Sequence, residues 1–287
     1  MADPTPKVRP VNLKPVVSRP DMATMGGLII ALGGIVGGLL LEGGKINDVV
    51  QITAAVIVFG GTFGAVMVTT PLPVLARAIR QVNLVFVDRV PQPTDAIEEI
   101  ISFASKARRH GIVSLEQDAD NVPDHFLRKA LSLAVDGTDL DDIRKIMELE
   151  VVAEEHRAEA EAKVFEAAGG YAPTVGIIGA VLGLIQVMKH LENIDEVGRG
   201  IAVAFVATVY GVGSANIFFL PAANKLRARM QRATQIRELM LEGVIAIVEG
   251  LNPKLIRTKL EAYTRDAKQP PQERRQQAAQ PAVESNT

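Results

Sequence analysis

AGGYAPTVGIIGAVLGLIQVMKHLENIDEVGRGIAVAFVATVYGVGSANIFFLP, residues 168–221, holds two long apolar runs, 168–188 and 200–220. Neither run contains an Asp, Glu, Lys, Arg or His; the charges sit in the connector between them, at Lys189, Glu192, Asp195, Glu196 and Arg199. Each run has roughly the 20 apolar residues that an α-helix needs to cross about 30 Å of hydrocarbon. Small residues recur at helical spacing, as Gly176, Gly179 and Gly183 and again as Gly211, Ser214 and Ala215. Small faces let helix backbones approach closely where no water competes for them. The stretch predicts a tightly packed membrane hairpin.

Working outward, two more runs have the same character. Residues 22–41 (MATMGGLIIALGGIVGGLLL) are uncharged and carry two glycine faces, and residues 49–70 (VVQITAAVIVFGGTFGAVMVTT) form a second uncharged run after a short connector. Core helices of a soluble protein are the competing explanation, but two such runs back to back, free of charge over about 20 residues each, fit spans better. Pro71 and Pro73 then end or kink the second span. Residues 1–21 carry Lys7, Arg9, Lys14 and Arg19 among prolines and read as an unstructured start. No short apolar core followed by a small-residue cleavage site is present, so the first run is expected to stay as a helix.

Residues 71–166 differ in kind. They are charged and amphipathic: DAIEEIISFASKARRH, 95–110, sets Ile97, Ile100, Ile101 and Ala104 on one face. A long helix former begins behind Thr138 and Asp139, a good N-cap pair, and runs toward the third span with only Gly169 and Gly170 between. Residues 222–267 are again helical in pattern, and 268–287, rich in Gln, Pro and Arg, read as a disordered tail. Of the 31 Lys and Arg residues, 28 fall in 1–20, 77–166 and 222–287, and the connectors hold Lys45, Lys189 and Arg199. The positive-inside rule therefore places both termini and the middle domain in the cytoplasm. The expected fold is an all-α membrane protein: four transmembrane helices (22–41, 49–70, 168–188 and 200–221), a helical cytoplasmic domain between spans two and three, and a helical C-terminal extension.

Composition removes several function classes. The net charge of −2 and the lack of a basic stripe with interleaved aromatics give no nucleic-acid surface. There is no Cys for thiol chemistry, and His110, His125, His156 and His190 have no ligand spacing, so no metal site is expected. No phosphate-binding loop, dinucleotide fingerprint or nucleophile elbow occurs, and the chain reads as a non-enzyme without cofactor. Intramembrane carboxylates normally mark proton paths, and these spans have none. If the chain conducts protons, the carboxylate comes from another polypeptide. Its own contribution is lining: the hydroxyls of Thr208, Thr174 and Tyr210 and carbonyls freed near Pro173 and Pro221. For Thr208 a hydroxyl bonded back to its own helix is the competing reading, and for the prolines a plain helix boundary.

Several motifs go further. KARRHGIVSLE (106–116), YAP (171–173) followed by GIIGAVLGLI, ATVYG (207–211) with Ala215-Asn216, FLPAANKL (219–226) and NPKLIRTKL (252–260) all stand in this chain. Together with the span layout, they resemble the MotA-type stator subunits of the bacterial flagellar motor over about residues 22–265. The more distant TolQ and ExbB energising subunits have three spans; a role like theirs, coupling proton flow to an outer-membrane process, is the alternative. The resemblance implies that Arg108 and Glu116, with Arg109 beside them, contact the rotor protein FliG. It implies that Pro173 and Pro221 couple ion passage to movement and that Thr208 lies near the ion path. Ala180 stands where sodium-driven relatives carry threonine, so the implied ion is H+. The implied assembly is a pentamer in the bacterial inner membrane around a dimer of MotB, whose single span supplies the proton-binding aspartate.

Overall fold

The computed structural model describes residues 19–88 and 92–266. The expectation of an unstructured N-terminus up to residue 18, and of a disordered tail over 268–287, lies outside them. In chain order the helices are α1 (Met22–Leu41), α2 (Ile52–Ala55), α3 (Gly61–Thr69), α4 (Leu72–Phe86), α5 (Pro93–His110) and α6 (Glu116–Asn121). They continue as α7 (His125–Val135), α8 (Leu140–Lys189), α9 (Ile194–Ser214), α10 (Leu220–Val248) and α11 (Pro253–Asp266). A π-helical segment, Val56–Gly60, joins α2 to α3, and another, Ala215–Phe219, joins α9 to α10. The described residues are almost wholly helical, with four helices long and apolar enough to cross a membrane: Met22–Leu41, Ile52–Thr69, Leu140–Lys189 and Ile194–Val248.

The described residues divide into two compact units, one comprising 19–88 and 155–230. In this apolar unit, the glycines of α8 and α9 set the packing. A Cβ added at Gly183 would lie 2.7 Å from the Gly200 carbonyl oxygen, and one at Gly211 would lie 2.5 Å from that of Ala172. Only a residue without a side chain permits backbones this close. The second span packs into the same seam: Gly61 meets Val175, Gly179 meets both Ala207 and Ile57, and Ala54 and Val58 are buried with Val206 and Ala207. A second cluster of mostly small residues, among them Ala168, Ala172, Ala215, Ala222 and Ala223, is closed by Val66, Phe165 and Phe219. Helix α1 buries none of its residues, and its Ile29, Ile30 and Leu41 are exposed.

Charges gather at the ends of these helices. Asp21 caps α1 by accepting from the Thr24 amide at 3.1 Å, and its carboxylate pairs with Lys225 at 2.5 Å and Arg229 at 2.9 Å. The Lys225 ammonium first, then the Thr24 amide and Arg229, hold the Asp21 carboxyl well below the usual range against the opposing effect of burial. Arg229 also donates to the Val87 carbonyl at 2.5 Å, and the Asp21 amide donates to Phe86 at 2.8 Å. Arg19–Pro20 (β1) pairs antiparallel with Val87–Asp88 (β2). Residues 19–21, expected within the unstructured N-terminus, are therefore ordered, because a partly buried two-cation grip and backbone pairing outweigh the local bias of a Pro-rich segment. Arg227 holds Glu159 at 2.9 Å and also Glu166, and Arg77 meets Glu161 at 3.2 Å.

The second unit comprises, among the described residues, 92–154 and 231–266. Its core is conventional: Ile100, Phe103, Leu115, Leu127, Leu131, Ile143, Met147, Leu239, Ile256 and Leu260 are fully or almost fully buried. Each such side chain contributes about 1.5–3 kcal/mol when removed from water. Local chemistry sets the helix ends. Asp124 caps α7 at the Leu127 amide (2.9 Å), Asp139 accepts from the Asp141 amide at the start of α8 (2.9 Å), and Gly111 at φ 80° stops α5.

Three local readings sharpen. Pro71 ends rather than kinks the second span: Thr70 is extended and α4 begins immediately after the proline. Pro173 lies inside α8, and Pro221 lies in helix directly after a π segment, so neither marks a boundary. Helix α9 starts at Ile194, because Asn193 caps it through the Asp195 and Glu196 amides and those two carboxylates favour the positive end of the helix. Gly211→Ala, which places a methyl against the Ala172 carbonyl, is expected to destabilise the assembly by about 1–3 kcal/mol. Gly198→Ala, with nothing within 4 Å, is expected to be neutral. Thermal unfolding of the two purified variants checks both.

Candidate functional site

The residues singled out from the sequence fall in two places. Thr208, Pro173, Pro221, Ala180 and Tyr210 belong to the apolar unit; Arg108, Arg109 and Glu116 belong to the other.

In the apolar unit, the glycine seam brings Thr208 to the turn that begins at Pro173. A Cβ on Gly176 would lie 3.5 Å from the Thr208 Cα, and Gly211, one turn further along α9, abuts Ala172. Pro173 has no amide hydrogen, so the Gly169 carbonyl one turn earlier receives no bond from it. Thr208 is half-buried, and its hydroxyl donates to the Ala204 carbonyl at 3.2 Å, the own-helix bond considered above. Thr174 behaves alike, donating to Tyr171 at 2.8 Å. Ala180 is half-buried beside Gly179, and Pro221 is exposed. The arrangement offers small, mildly polar surface with paired hydroxyls and no group that could take up a proton itself.

Tyr210 does something the sequence did not suggest. Its phenol donates to the Val49 carbonyl at 2.6 Å and accepts from the Gln51 amide at 3.2 Å, while its ring stacks on Phe59 with centroids 6.1 Å apart. Val50 and Gln51 are extended just before α2, a break in the helix at which the Val49 carbonyl and the Gln51 amide find their partner in a phenol from α9. The useful signal was the non-helical start of the second span, which leaves backbone donors and acceptors to be satisfied.

In the other unit, Arg108 and Arg109 sit in the last turn of α5, where cations favour the helix dipole, and Glu116 opens α6, where an anion does. All three side chains are exposed. The turn between them is held firmly: Ser114 donates to the Gly111 carbonyl at 2.6 Å, Leu115 is fully buried, and Lys106 pairs with Asp118 at 2.6 Å. Lys106 and Asp118 are nearly buried, with side-chain exposures of 12% and 9%, so this pair lies below the surface that the exposed charges occupy. The sequence motif contained Lys106 but gave no sign of its partner twelve positions on. Tyr210→Phe is expected to cost about 1–3 kcal/mol by leaving Val49 and Gln51 unpaired and to speed amide exchange at the start of the second span. Exchange measured by mass spectrometry on the purified protein checks this.

Comparison with known proteins accords with this architecture. The Motility protein A N-terminal family matches residues 25–111, and the MotA/TolQ/ExbB proton channel family matches residues 118–239. Motility protein A of Bacillus subtilis (strain 168) is 38% identical over 247 residues, covering 85% of this chain and 90% of its own. Chemotaxis protein PomA of Vibrio alginolyticus is 32% identical, covering 86% of this chain and 97% of its own. Among solved structures, the flagellar MotAB stator complex from Bacillus subtilis matches with a TM-score of 0.78 at 35% identity, over 88% of this chain and 98% of that one. The MotAB structure from C. jejuni matches with a TM-score of 0.80 at 30% identity, over 85% of this chain and 95% of that one. This chain belongs to the MotA/TolQ/ExbB proton channel family.

Proposed function

We propose that this chain is a stator subunit of the bacterial flagellar motor. With a MotB-type single-span partner it forms a proton-conducting complex that turns proton-motive force into torque on the rotor. The observation that carries the reading is its likeness to MotAB stator structures over nearly the whole of those chains. The residues agree with it: the apolar runs 22–41, 49–70, 168–188 and 200–220 hold no Asp, Glu, Lys, Arg or His, so the proton-binding aspartate belongs to the partner. Four apolar helices and the match to the Motility protein A N-terminal family favour this reading over a TolQ- or ExbB-like energiser.

The finer picture follows the resemblance. The complex sits in the inner membrane with both termini in the cytoplasm, five copies surrounding a partner dimer. Protonation of the partner aspartate removes its charge and changes its contact with the wall near Thr208 and Pro173. The ring then steps around the partner. Pro173 and Pro221, inside helices rather than at their ends, act as the compliant points of that step, because a missing amide bond softens a helix locally. Ala180, a methyl where sodium-driven relatives carry a hydroxyl, favours H+ as the ion. On the cytoplasmic side Arg108 and Glu116, with Arg109 beside them, press on FliG. An exposed pair contributes only about 0–1 kcal/mol, so torque comes from many weak, salt-screened contacts held at fixed spacing by the turn between α5 and α6.

Gentle extraction from the native membrane is expected to recover a single-span protein with an intramembrane aspartate and a peptidoglycan-binding domain. Recovery of an outer-membrane energising partner instead would move the chain to the TolQ and ExbB class. The double reversal Arg108→Glu with Glu116→Lys is expected to abolish swimming in a motility assay while the complex still assembles; unchanged swimming would sink the rotor-contact assignment.

A further inference from the structure

Glu98 and Glu99 are neighbours on α5 with opposite surroundings. The Glu98 carboxylate is gripped at both oxygens by Arg257, at 2.5 and 2.9 Å, on the surface. Glu99 Oε1 is buried and has no hydrogen-bond partner among the described residues. Ala96, Ile100 and Phe103 around it on α5 all belong to the buried core. Buried polar atoms of native proteins are nearly always paired, and an exception calls for a reason.

Among the described residues, no cation is paired with Glu99. Asp124 bears on it from the start of α7, and Asp124 is committed as a helix cap whose oxygen accepts the Leu127 amide at 2.9 Å. Arg128, one turn along α7, spends its guanidinium on the Val122 carbonyl at 2.6 and 2.9 Å. On α5 itself, Lys106 is bound to Asp118, and Asp95, one turn before Glu99, is another carboxylate. From α11, Arg257 is taken by Glu98. Protonation resolves this conflict most simply, since a neutral carboxyl loses both the cost of burying charge and the repulsion from Asp124.

We propose that Glu99 is a proton-binding site in the rotor-contacting unit, closed around α5 and α7 when protonated and loosened when ionised. The site senses cytoplasmic pH and lies on the helix that presents Arg108 and Arg109. Its placement in the cytoplasm rests on the stator reading. Burial first, with the Asp124 carboxylate second, pushes the Glu99 carboxyl up from 4.5 to about 7. The folded unit thus binds more protons than the unfolded chain between these values. Stability from this site is fully present below 4.5 and is lost as pH rises through about 7.

Amide exchange of residues 93–110 in the purified complex with its partner, at pH 6 and pH 8 and corrected for intrinsic exchange, tests the site. Protection of α5 is expected to be about threefold higher at the acid pH, less than the roughly tenfold that the full shift gives over this interval, because the group is partly exposed. Glu99→Gln is expected to be equally protected at both. Asp124→Asn, which keeps a capping side chain but removes the like charge, is expected to move the midpoint to lower pH. Wild-type protection that ignores pH, or Glu99→Gln that responds as wild type does, overturns the proposal. Swimming of the Arg108 and Glu116 reversal and wild-type protection of α5 are separate readouts, so unchanged swimming there would fault the rotor contact and not the proton site.

Discussion

Two helix backbones in van der Waals contact where no water can reach them are the condition from which the apolar half of this protein follows. Between α8 and α9 the contact runs through Gly176, Gly179, Gly183, Gly200 and Gly211, and at several of these positions even a methyl group would meet a carbonyl oxygen. In hydrocarbon there is little hydrophobic drive to bring helices together, so close packing must supply the attraction. The seam does more than hold. It sets Thr208 beside the turn of Pro173, gives the second span a groove through Ile57 and Val175, and fixes which faces of the pair remain outward. A proton path built against such a wall can be small and mildly polar, because the wall has no charge of its own to satisfy.

Where the apolar helices end, the solution changes from shape to charge. Asp21, Lys225 and Arg229 form a partly buried cluster, and Arg227 gathers two carboxylates of α8. Such pairs lose solvation on burial, but breaking one partner strands the other, so they specify geometry more than they add stability. The same logic holds at the turn between α5 and α6. There the sunken Lys106–Asp118 pair, the fully buried Leu115 and the left-handed Gly111 fix the turn that carries the exposed charges.

The features legible in the sequence were those carried by neighbours along the chain. Four apolar runs declared themselves by the absence of charge, the Gly176, Gly179 and Gly183 face by its spacing, and the start of α8 by Asp139. Features that join distant positions were silent. Nothing near Asp21 announces Arg229, and nothing near Tyr210 announces Val49; each partner is an ordinary residue until the fold brings the two together. Proline was ambiguous for a related reason. Locally it opposes a helix, but Pro173 is carried inside one whose neighbours are packed tightly enough to override that bias. The exposed Arg108 and Glu116 read by themselves as a solvated face, and only the resemblance of the motif that contains them suggests more, since surface charge is common and carries no signature of a partner.

The Tyr210 phenol, bonded to the backbone ahead of α2 and stacked on Phe59, has an optical consequence. The chain has no tryptophan and three tyrosines, so ultraviolet absorption and emission from the subunit come from very few chromophores. One of them is a phenol donating a short hydrogen bond to a carbonyl oxygen, an arrangement that shifts absorption to longer wavelength and quenches emission relative to a hydrated ring. The junction of the second and fourth spans thus carries its own label, and a change in their separation is readable in the near-ultraviolet spectrum without attaching a dye.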